Sequence, residues 1–407
     1  MQESHFTESA ATQGFSTRSV HAGQYEDPVN GAVGTPIFQT TSFRFTPEAY
    51  TAIMEGEARD RFVYTRYNNP TLQAVAAKVA QLEGAASGLV FSSGMGAIST
   101  VLEALLSTGD HLVTSLDVYG GTYRLLRTEL PRFGIGCSYV DPRDLAAVEA
   151  AITPQTRVLY FETLSNPLLK LAPVAELAAI ARAHGCLLVI DNTFLSPYNY
   201  RPLADGADIV VHSASKYLNG HSDLIAGAAA GSRELMDQVW WRMIVQGTSM
   251  DPHAAFLLER GMKSLALRME AHNRNAADVA QWLDRHPAVK RVNYAGLPQH
   301  PQHDLARQMC PQGLGGMVTF EMQGGNAAGL CLMQHLRIAS EATSLGGVES
   351  LISMPFNSSH AGFSPEDQAW VGLQPGTVRL SVGIEDVADL IADLAQALDL
   401  CEGVSGS

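Results

Sequence analysis

The chain has 407 residues, which is long for one compact core and predicts two domains. Its hydrophobic content of 46% and charged content of 17% are typical of a globular protein. The formal net charge is −14 and no long basic run is present, so nucleic acid and anionic membranes are not expected partners.

No apolar stretch reaches the roughly 18 to 20 residues that span a bilayer, and residues 1–18 lack the apolar core of a signal peptide. The five cysteines are odd in number, scattered and without a CxxC pair. We therefore predict a cytoplasmic protein whose cysteines are mostly buried small residues, with neither a disulfide framework nor a zinc site. These cysteines are Cys137, Cys186, Cys310, Cys331 and Cys401.

Residues 1–60 show little hydrophobic periodicity and are interrupted by glycine and proline. They predict an extended arm with short helical pieces that lies across another subunit. Directly after this arm, Tyr64 and Arg66 are two positions apart and share one side of an extended segment. Together they could bind an oxyanion, although an ordinary exposed pair has the same pattern.

The next segment has the order helix, strand, glycine turn, helix. Residues 71–83 carry a helical stripe, 88–91 form a short apolar strand, and 97–106 are again helical. The turn between strand and helix reads Ser-Ser-Gly-Met-Gly at 92–96, and free N–H groups at such a helix start bind phosphate. Many glycine turns have only a backbone role, and no Walker or GxGxxG motif indicates a nucleotide.

Strands and helices then alternate up to about residue 212. The strand runs are apolar throughout, which is typical of strands covered on both faces. This pattern predicts an α/β domain with a largely parallel sheet flanked by helices, whose ligands bind at the carboxyl ends of the strands. The predicted strands are 111–116, 136–140, 157–161, 186–190 and 208–211, and the predicted helices are 123–130, 145–152 and 174–184.

A lysine stands at this sheet edge. The β-branched run 208–212 ends in Ser213, Ser215 and Lys216. A lysine that ends a buried strand either extends to solvent or reacts, and two neighbouring hydroxyls suit the anion of a phosphorylated aldehyde. The stretch therefore favours a Schiff base between Lys216 and pyridoxal 5'-phosphate (PLP). The alternative is a surface lysine in an ordinary loop.

Three further polar side chains fall at the same predicted edge. Asp191 ends a very apolar strand, where a carboxylate needs a partner such as a protonated pyridine nitrogen. Tyr119 lies in a glycine-flanked turn and could stack on a flat ring, and Asn166 could donate to a ring hydroxyl oxygen. The alternatives are a capping aspartate, a packing tyrosine and a turn-forming asparagine.

The pattern changes near residue 256. We predict an N-terminal arm at 1–60, a large domain at 61–255 and a C-terminal domain at 256–407, which opens with one long helical stretch at 254–283. Arg379 lies mid-strand, where either a substrate carboxylate or a structural salt bridge would pair with it. Ser344 begins a Ser-Leu-Gly-Gly turn in the same region.

The chain resembles the trans-sulfuration enzymes, the Cys/Met metabolism family of PLP-dependent enzymes. The similarity is carried by Tyr-Thr-Arg-Tyr-Asn-Asn-Pro-Thr at 64–71, Ser-Ser-Gly-Met at 92–95, Tyr-Gly-Gly-Thr-Tyr at 119–123 and the lysine segment 208–222. The resemblance implies PLP fold type I, with a large domain around a mainly parallel sheet and a smaller C-terminal α/β domain. It also implies a homotetramer of two dimers, with active sites between subunits.

The resemblance assigns the candidates to two groups. Lys216 and Tyr119 would be the catalytic residues, and Ser344 and Arg379 would bind the carboxylate of an amino-acid substrate. The residues that would bind PLP are Gly94, Met95, Tyr119, Asn166, Asp191, Ser213, Ser215, Lys216 and, from a neighbouring subunit, Tyr64 and Arg66.

The implied reaction is γ-elimination or γ-replacement on a sulfur amino acid or an O-acylhomoserine. Thr343 stands where many cystathionine-handling members carry Glu, and Gly121 stands where methionine γ-lyases usually carry Cys. Gly-Val-Glu-Ser-Leu at 347–351 favours the cystathionine γ-synthase and γ-lyase branch. The alternatives are a methionine γ-lyase, an O-acylhomoserine sulfhydrylase and, more distantly, a PLP aminotransferase or a non-catalytic PLP-binding protein.

Overall fold

The computed structural model describes residues 6–7, 12–56 and 58–404. The described residues form α-helices and β-strands that alternate through most of the chain. The helices are α1 (Phe15–His21), α2 (Pro47–Met54), α3 (Pro70–Glu83), α4 (Gly94–Leu105), α5 (Gly120–Arg124), α6 (Leu145–Ala150), α7 (Val174–Ala183), α8 (Ser196–Asn199), α9 (Arg233–Gln246), α10 (Pro252–Met262), α11 (Leu265–Leu283), α12 (His303–Met309), α13 (Gly325–His335), α14 (Pro365–Val371) and α15 (Val387–Leu400). The strands are β1 (Ser87–Phe91), β2 (His111–Thr114), β3 (Gly136–Tyr139), β4 (Thr156–Glu162), β5 (Leu187–Asp191), β6 (Ile209–His212), β7 (Gly227–Gly231), β8 (Val289–Asn293), β9 (Met317–Met322), β10 (Ser340–Glu341), β11 (Leu351–Ser353) and β12 (Thr377–Ser381).

Seven of the strands in the described residues form one sheet, here called the large sheet, in the order β1-β7-β6-β5-β4-β2-β3. The strands β6, β5, β4, β2 and β3 run parallel to their neighbours in that series, and β7 is antiparallel to both β6 and β1. Alternate strand residues pack into two buried clusters, so that Ile190 and Val210 face one and Val189 and Val211 face the other. The prediction of a largely parallel sheet covered on both faces is confirmed.

The other five strands, within the same described part of the chain, form the small sheet in the order β10-β11-β12-β9-β8. Except for the parallel pair β10 and β11, its neighbouring strands are antiparallel. The helices α11, α13 and α15 pack around this sheet and each other. The chain is therefore an α/β protein with two sheets of unequal size, as PLP fold type I requires.

Local sequence explains where the site-bearing helices begin. Asn69 caps α3 by accepting from the Thr71 N–H at 2.9 Å, and Pro70 occupies the first helical position. Ser93 caps α4 by accepting from the Gly96 N–H at 2.9 Å. Because α4 starts at the end of β1, its free N–H groups lie at one edge of the large sheet.

The sequence prediction missed several elements, among them β7 and α9, and one predicted helix was too long. The strand β7 reads Gly-Ala-Ala-Ala-Gly and α9 has a weak apolar stripe, so neither gives a clear periodic signal. The predicted helix at 254–283 is two helices, α10 and α11, separated at Lys263 and Ser264. The apolar pattern continues across the break because both helices pack against the same core.

The predicted N-terminal arm is partly described, since residues 1–5, 8–11 and 57 lie outside the described residues. The helix α1 packs on α3 and α11 of its own chain. Further along, the segment exposes apolar side chains, including Val33 at 89% and Met54 at 88% of their surface. Such exposure of large apolar groups is typical of surfaces that a partner covers.

The structure corrects the prediction about cysteines. Cys331 and Cys401 form a disulfide between α13 and the end of α15, although 70 positions separate them in sequence. The spacing gave no signal because the pairing depends on how these two helices pack. Cys186 and Cys310 are buried free thiols, as expected. No helix in the described residues is long and apolar enough to cross a membrane.

Candidate active site

A cavity of about 800 Å³ lies at the carboxyl edge of the large sheet, where loops of the small sheet close over it. Most of the predicted site residues line this cavity although they come from very different parts of the chain. Those that line it are Gly94, Met95, Tyr119, Asn166, Asp191, Ser213, Ser215, Lys216, Ser344 and Arg379. The predicted convergence at one sheet edge is therefore present.

Lys216 lies in the loop after β6, and its amine faces the cavity. Its Nζ donates to the Ser344 hydroxyl at 2.6 Å. Burial, together with the nearby charge of Arg379, lowers the pKa of Lys216 to about 8. Relative to an ordinary lysine, this increases the neutral, nucleophilic fraction of the amine at pH 7 roughly 300-fold.

Asp191 ends β5 and is buried below the cavity. Its Oδ1 accepts from both the N–H and the hydroxyl of Thr193, at 2.9 and 2.5 Å. Burial raises the pKa of Asp191, while the two Thr193 hydrogen bonds and the charge of His212 oppose that shift. The carboxylate is thus held in one orientation by donors that favour its ionised form.

Glu162 is a second buried carboxylate at this edge, and the sequence analysis did not single it out. It stands beside Asp191 in the register of β4 and β5 and accepts from the Tyr119 N–H at 2.7 Å. Burial and the adjacent Asp191 raise the pKa of Glu162 well above its usual range. The two carboxyl groups therefore interact directly, and Asp191 differs from Glu162 in accepting two hydrogen bonds from Thr193.

The start of α4 forms a tight contact with the end of β6. A Cβ atom at Gly94 would lie only 2.7 Å from the Ser213 Cβ, so a side chain at this position would displace the turn. The Gly94 and Met95 N–H groups precede the first intrahelical hydrogen bond. Together with the Ser213 and Ser215 hydroxyls, they line one end of the cavity with donors.

Tyr119 lies above this turn and is 48% exposed in the single chain. Its ring passes close to Gly121, where an added Cβ would lie 2.5 Å from the Tyr119 Cε1 and 3.0 Å from the Met95 Sδ. Glycine at 121 therefore lets the aromatic ring lie across the turn. A flat ligand ring bound in the cavity would have Tyr119 beside one of its faces.

Arg379 comes from the middle of β12 and is 5% exposed. Its guanidinium donates to the Asn166 Oδ1 at 2.9 Å and to the Ser344 carbonyl at 3.2 Å. Neither acceptor carries a charge, and Arg379 has no carboxylate within ion-pair distance in the described part of the chain. The structural salt bridge considered from sequence is therefore absent among the described residues. The Arg379 guanidinium is left as a positive charge that could bind an anionic group in the cavity.

Tyr64 and Arg66 are not part of this cavity. The Arg66 guanidinium lies near both the Tyr64 and Tyr67 rings, at 5.5 and 5.0 Å from their centroids, and donates to the Ile244 carbonyl. Tyr64 is 37% exposed. In one chain the pair therefore lies on a separate surface, and the predicted contribution to a neighbouring subunit stays a prediction.

Two residues at the cavity mouth were also not singled out. Ser222 donates a hydrogen bond to Glu349, and both line the cavity. Glu349 is half-buried, whereas the two other lining carboxylates, Glu162 and Asp191, are buried. The signal for Glu349 was its place in the glycine-rich segment 347–351, but spacing alone did not show that it faces the cavity.

The donors and charges of the cavity are complementary to PLP. N–H groups and hydroxyls suit its phosphate, a buried carboxylate suits its pyridinium nitrogen, and a neutral lysine amine suits its aldehyde. Asp191 and Arg379 lack an oppositely charged side chain within ion-pair distance among the described residues. Buried charges need partners, so the set suits a ligand that brings the opposite charges with it.

Comparisons with known proteins agree with this chemistry. Residues 16–399 match the family model of the Cys/Met metabolism PLP-dependent enzymes. An L-methionine gamma-lyase of Pseudomonas putida is 45% identical over 388 residues, which cover 95% of this chain and 97% of the relative. A cystathionine beta-lyase of Lactococcus lactis subsp. cremoris is 42% identical over 384 residues, covering 94% of this chain and 98% of the relative.

A solved structure leads to the same family. The crystal structure of cystathionine gamma-lyase from Lactobacillus plantarum, complexed with L-serine, has a TM-score of 0.90 and 42% sequence identity, and the match covers 96% of this chain and 100% of that chain. The family resemblance, the fold and the cofactor predicted from sequence are confirmed. The chain therefore belongs to the Cys/Met metabolism PLP-dependent enzymes and is a PLP-dependent lyase of that group.

Proposed function

We propose that this enzyme cleaves the bond between the γ-carbon and sulfur of a sulfur amino acid, consuming one water and releasing a thiol, 2-oxobutanoate and ammonia. The observation that carries this proposal is the adjacency of Lys216 and Arg379 in one cavity. The lysine supplies an amine whose lowered pKa increases its neutral fraction, and the arginine supplies an unpaired charge for a carboxylate. An α-amino acid brings the matching carboxylate and the Cα proton that a base must remove.

The same residues define how PLP would be held. Lys216 would bond to its aldehyde, Asp191 would pair with its pyridine nitrogen, and Tyr119 would stack on its ring. Donors from the start of α4 and the loop after β6 would bind its phosphate, namely Gly94, Met95, Ser213 and Ser215. When bound, PLP stores the electron pair that is left on the substrate when a proton leaves carbon.

Substrate orientation comes from the small sheet. Arg379 would take the α-carboxylate in a bidentate contact, in addition to its two neutral acceptors, since a guanidinium has five N–H donors. Asn166 and Ser344 lie beside it and keep the guanidinium in its plane. This places the Cα–H bond on the side of the cavity that Lys216 occupies.

Proton movement is the task of Lys216 and Tyr119. As a free amine, Lys216 would take the Cα proton of the substrate. Its pKa of about 8 keeps a neutral fraction of the amine near pH 7. Removal of a Cβ proton would let the γ-sulfur leave and take up a proton as a thiol, and Tyr119, which lines the same cavity, would assist this second transfer.

L-Cystathionine is the substrate that the cavity mouth favours, in line with the branch indicated by residues 347–351. Its distal half carries a second ammonium group beside a second carboxylate. Glu349 is a half-buried carboxylate that receives a Ser222 hydrogen bond and has no cation within ion-pair distance among the described residues. A distal ammonium at the mouth would supply that charge.

L-Methionine is the second candidate. Thr343 is exposed at the mouth and uncharged, so this position gives no recognition of a distal amino group. Several relatives between 40% and 46% identical are L-methionine gamma-lyases. A thioether without a distal charge would need only the contacts made by Lys216 and Arg379.

Tyr64 and Arg66 complete the phosphate site of a neighbouring copy in this proposal. Support comes from the exposed apolar side chains along the N-terminal segment, including Val33 and Met54. A homodimer or a homotetramer of two dimers would bring this surface to a second cavity. Disruption of that contact should weaken PLP retention without changing Lys216.

A substrate panel tests the reaction. The PLP-loaded enzyme is incubated with L-cystathionine, L-methionine or O-succinyl-L-homoserine, with and without cysteine, and 2-oxobutanoate, pyruvate and thioether are quantified. We expect 2-oxobutanoate from L-cystathionine with the highest kcat/KM. Pyruvate as the main product would indicate β-elimination, and transfer of the amino group to an added keto acid without elimination would identify an aminotransferase; either result would contradict the proposal.

Glu349→Gln tests the substrate preference. The ratio of kcat/KM for L-cystathionine to that for L-methionine should fall about 10-fold, since one charge contact of about 1.4 kcal/mol is lost. Glu341→Gln, which removes an exposed carboxylate of β10 away from the cavity, is the matched control and should keep the ratio. An unchanged ratio in Glu349→Gln would remove the argument for cystathionine while leaving γ-elimination standing.

A further inference from the structure

A second chemically distinct site lies on the small-sheet side of the molecule, where α13 ends beside the end of α15. Cys331 of α13 and Cys401, which follows α15, are bonded to each other. His335 is one helical turn after Cys331, and its Nδ1 is 3.6 Å from the Cys331 Sγ. Cys331 and His335 are half-buried, whereas Cys401 is buried.

We propose that Cys331 and Cys401 are a site of reversible thiol–disulfide exchange with low-molecular-weight thiols such as glutathione, in which Cys331 is the sulfur that exchanges and His335 positions and stabilises its thiolate. Accessibility decides the order of events. A small thiol reaches a half-buried sulfur more readily than a buried one. Cys401 then acts as the resolving thiol from inside.

The orientation of His335 follows from its hydrogen bonds. Its Nδ1 is 2.9 Å from the Cys331 carbonyl oxygen, which can only accept. Nδ1 therefore carries a hydrogen, and the same N–H lies within reach of the Cys331 sulfur. A donor at this place stabilises a thiolate, which is the reactive form of cysteine.

The three other cysteines are disfavoured as thiolates by burial. Burial raises the pKa of the Cys137 thiol to about 11, although Tyr139 and Arg127 oppose the shift, and that of Cys310 to about 12. Cys186 is buried and its thiol pKa is also raised by burial. Since the thiolate is the form that exchanges, we expect exchange to be selective for the Cys331 pair.

The reaction balances with glutathione as the only co-reactant. In the reducing direction, a glutathione thiolate attacks the Cys331 sulfur, the Cys331–Cys401 bond breaks, and Cys401 leaves as a thiolate that takes a proton. A second glutathione thiolate attacks the glutathione sulfur of the mixed disulfide, which releases the Cys331 thiolate and glutathione disulfide. The protein gains two electrons and two protons, and two glutathione molecules lose them.

The position of the Cys331–Cys401 disulfide indicates which part of the molecule thiol–disulfide exchange would affect. Asp393 of α15 accepts from the Arg337 and Ile338 N–H groups at 2.9 and 2.8 Å, which ties α15 to the segment that follows α13. That segment continues through β10 to Ser344 in the cavity. The disulfide closes the same pair of helices at their ends, so its reduction should loosen the α13–α15 contact.

The experiment uses the full-length PLP-loaded enzyme in buffers of stepped ratio of reduced to oxidised glutathione. Thiols are alkylated, and the disulfide is located by peptide mass spectrometry. We expect one disulfide, between Cys331 and Cys401, that opens and closes with the glutathione ratio, and a melting temperature at least about 3 °C lower in the reduced form. Cys137→Ser is the matched control and should leave this behaviour unchanged.

The role of Cys331 and His335 is tested separately by rates. Cys401→Ser should trap glutathione on Cys331, whereas Cys331→Ser should leave Cys401 largely unmodified. His335→Phe should slow exchange about 10-fold, and His335→Asn, whose amide can donate from a similar place, should recover part of the rate.

Three results would overturn the proposal. The first is that both thiols stay free at every glutathione ratio. The second is equal exchange rates in the His335→Phe and His335→Asn variants and the unaltered enzyme. The third is a tightly bound zinc ion in the purified protein with both thiols reduced, because two thiolates and an imidazole are also zinc ligands.

Discussion

The two sheets contribute to the active site in different ways. The large sheet is mostly parallel, and its contributions come from strand ends and the loops after them: Asp191 ends β5, and Lys216 follows β6. The small sheet is mostly antiparallel, and its main contribution, Arg379, comes from the middle of β12. In our account the large sheet holds the cofactor and the small sheet holds the substrate.

This difference has a physical basis. In a parallel sheet all carboxyl ends meet at one edge, so residues far apart in sequence converge without further contacts. A mid-strand arginine of an antiparallel sheet is placed by register, here Arg379 opposite Thr319 and Ser353. If the large sheet holds the cofactor and the small sheet holds the substrate, substitutions in the large sheet should mainly change kcat and those in the small sheet should mainly change KM.

Asp191→Asn should have the largest effect of the three substitutions considered. It keeps the shape of the side chain but removes the charge that we propose pairs with the pyridine nitrogen, so kcat should fall about 10²-fold to 10³-fold while KM changes little. Steady-state kinetics with the preferred substrate measures both.

Asp117→Asn is the matched control for Asp191→Asn. Asp117 is also a buried aspartate near a strand end of the large sheet, but it pairs with Lys170 at 2.8 Å and does not line the cavity. This change should lower the melting temperature and leave kcat within about threefold. Equal losses of kcat in the two variants would mean that Asp191 has only a structural role.

Arg379→Gln should have an intermediate effect. Loss of a buried charge contact with the substrate carboxylate costs about 3 kcal/mol, so kcat/KM should fall about 100-fold, mostly through KM. Arg379→Lys keeps the charge without the planar guanidinium, so its kcat/KM should lie between those of the unaltered enzyme and Arg379→Gln. A decrease confined to kcat would contradict the proposal that the small sheet binds the substrate.

The same substitution predicts a shift in pH dependence. Burial first and Arg379 second lower the pKa of Lys216 to about 8. Without the positive charge at 379, the pKa of Lys216 should rise, because a nearby like charge disfavours the protonated amine. The rate at which the cofactor-free protein takes up PLP should then reach half its maximum at a higher pH than in the unaltered protein.

Gly121→Ala should have the smallest effect. Its Cβ would lie 2.5 Å from the Tyr119 ring, which must move, so we expect a loss of about fivefold in kcat/KM, or about 1 kcal/mol. The absorbance of bound PLP should shift slightly as the ring packing changes. Gly362→Ala, at a glycine with open space around it, is the control and should be neutral.

The contrast between the sheets also explains what the sequence could predict. Parallel, buried strands give continuous apolar runs, so β4, β5 and β6 and the polar residues after them were predicted close to their observed places. The strand β7 has only glycine and alanine, and the break at Lys263 lies inside one apolar pattern. Both depend on packing that no local pattern records.

Side chains whose roles depend on contacts between distant parts of the chain could not be predicted from the sequence either. Glu162 became a candidate only when β4 and β5 were seen side by side, and Glu349 only when its loop was seen at the cavity mouth. The disulfide between Cys331 and Cys401 needed the packing of α13 on α15. Arg379 was singled out by its place within a strand and Ser344 by the turn that it begins, but the family resemblance was needed to assign both to the substrate carboxylate.

The most direct test of the account asks which lysine bonds to PLP. Lys78 is the natural rival, because it is also buried and burial lowers its pKa to about 8, but its Nζ donates to the Ser19 and Val20 carbonyls away from the cavity. The PLP-loaded enzyme is reduced with borohydride, digested and analysed by mass spectrometry, with Lys216→Ala as the control. The account predicts a pyridoxyl group on Lys216 alone and none in the control; a label on Lys78, or on several lysines, would contradict it.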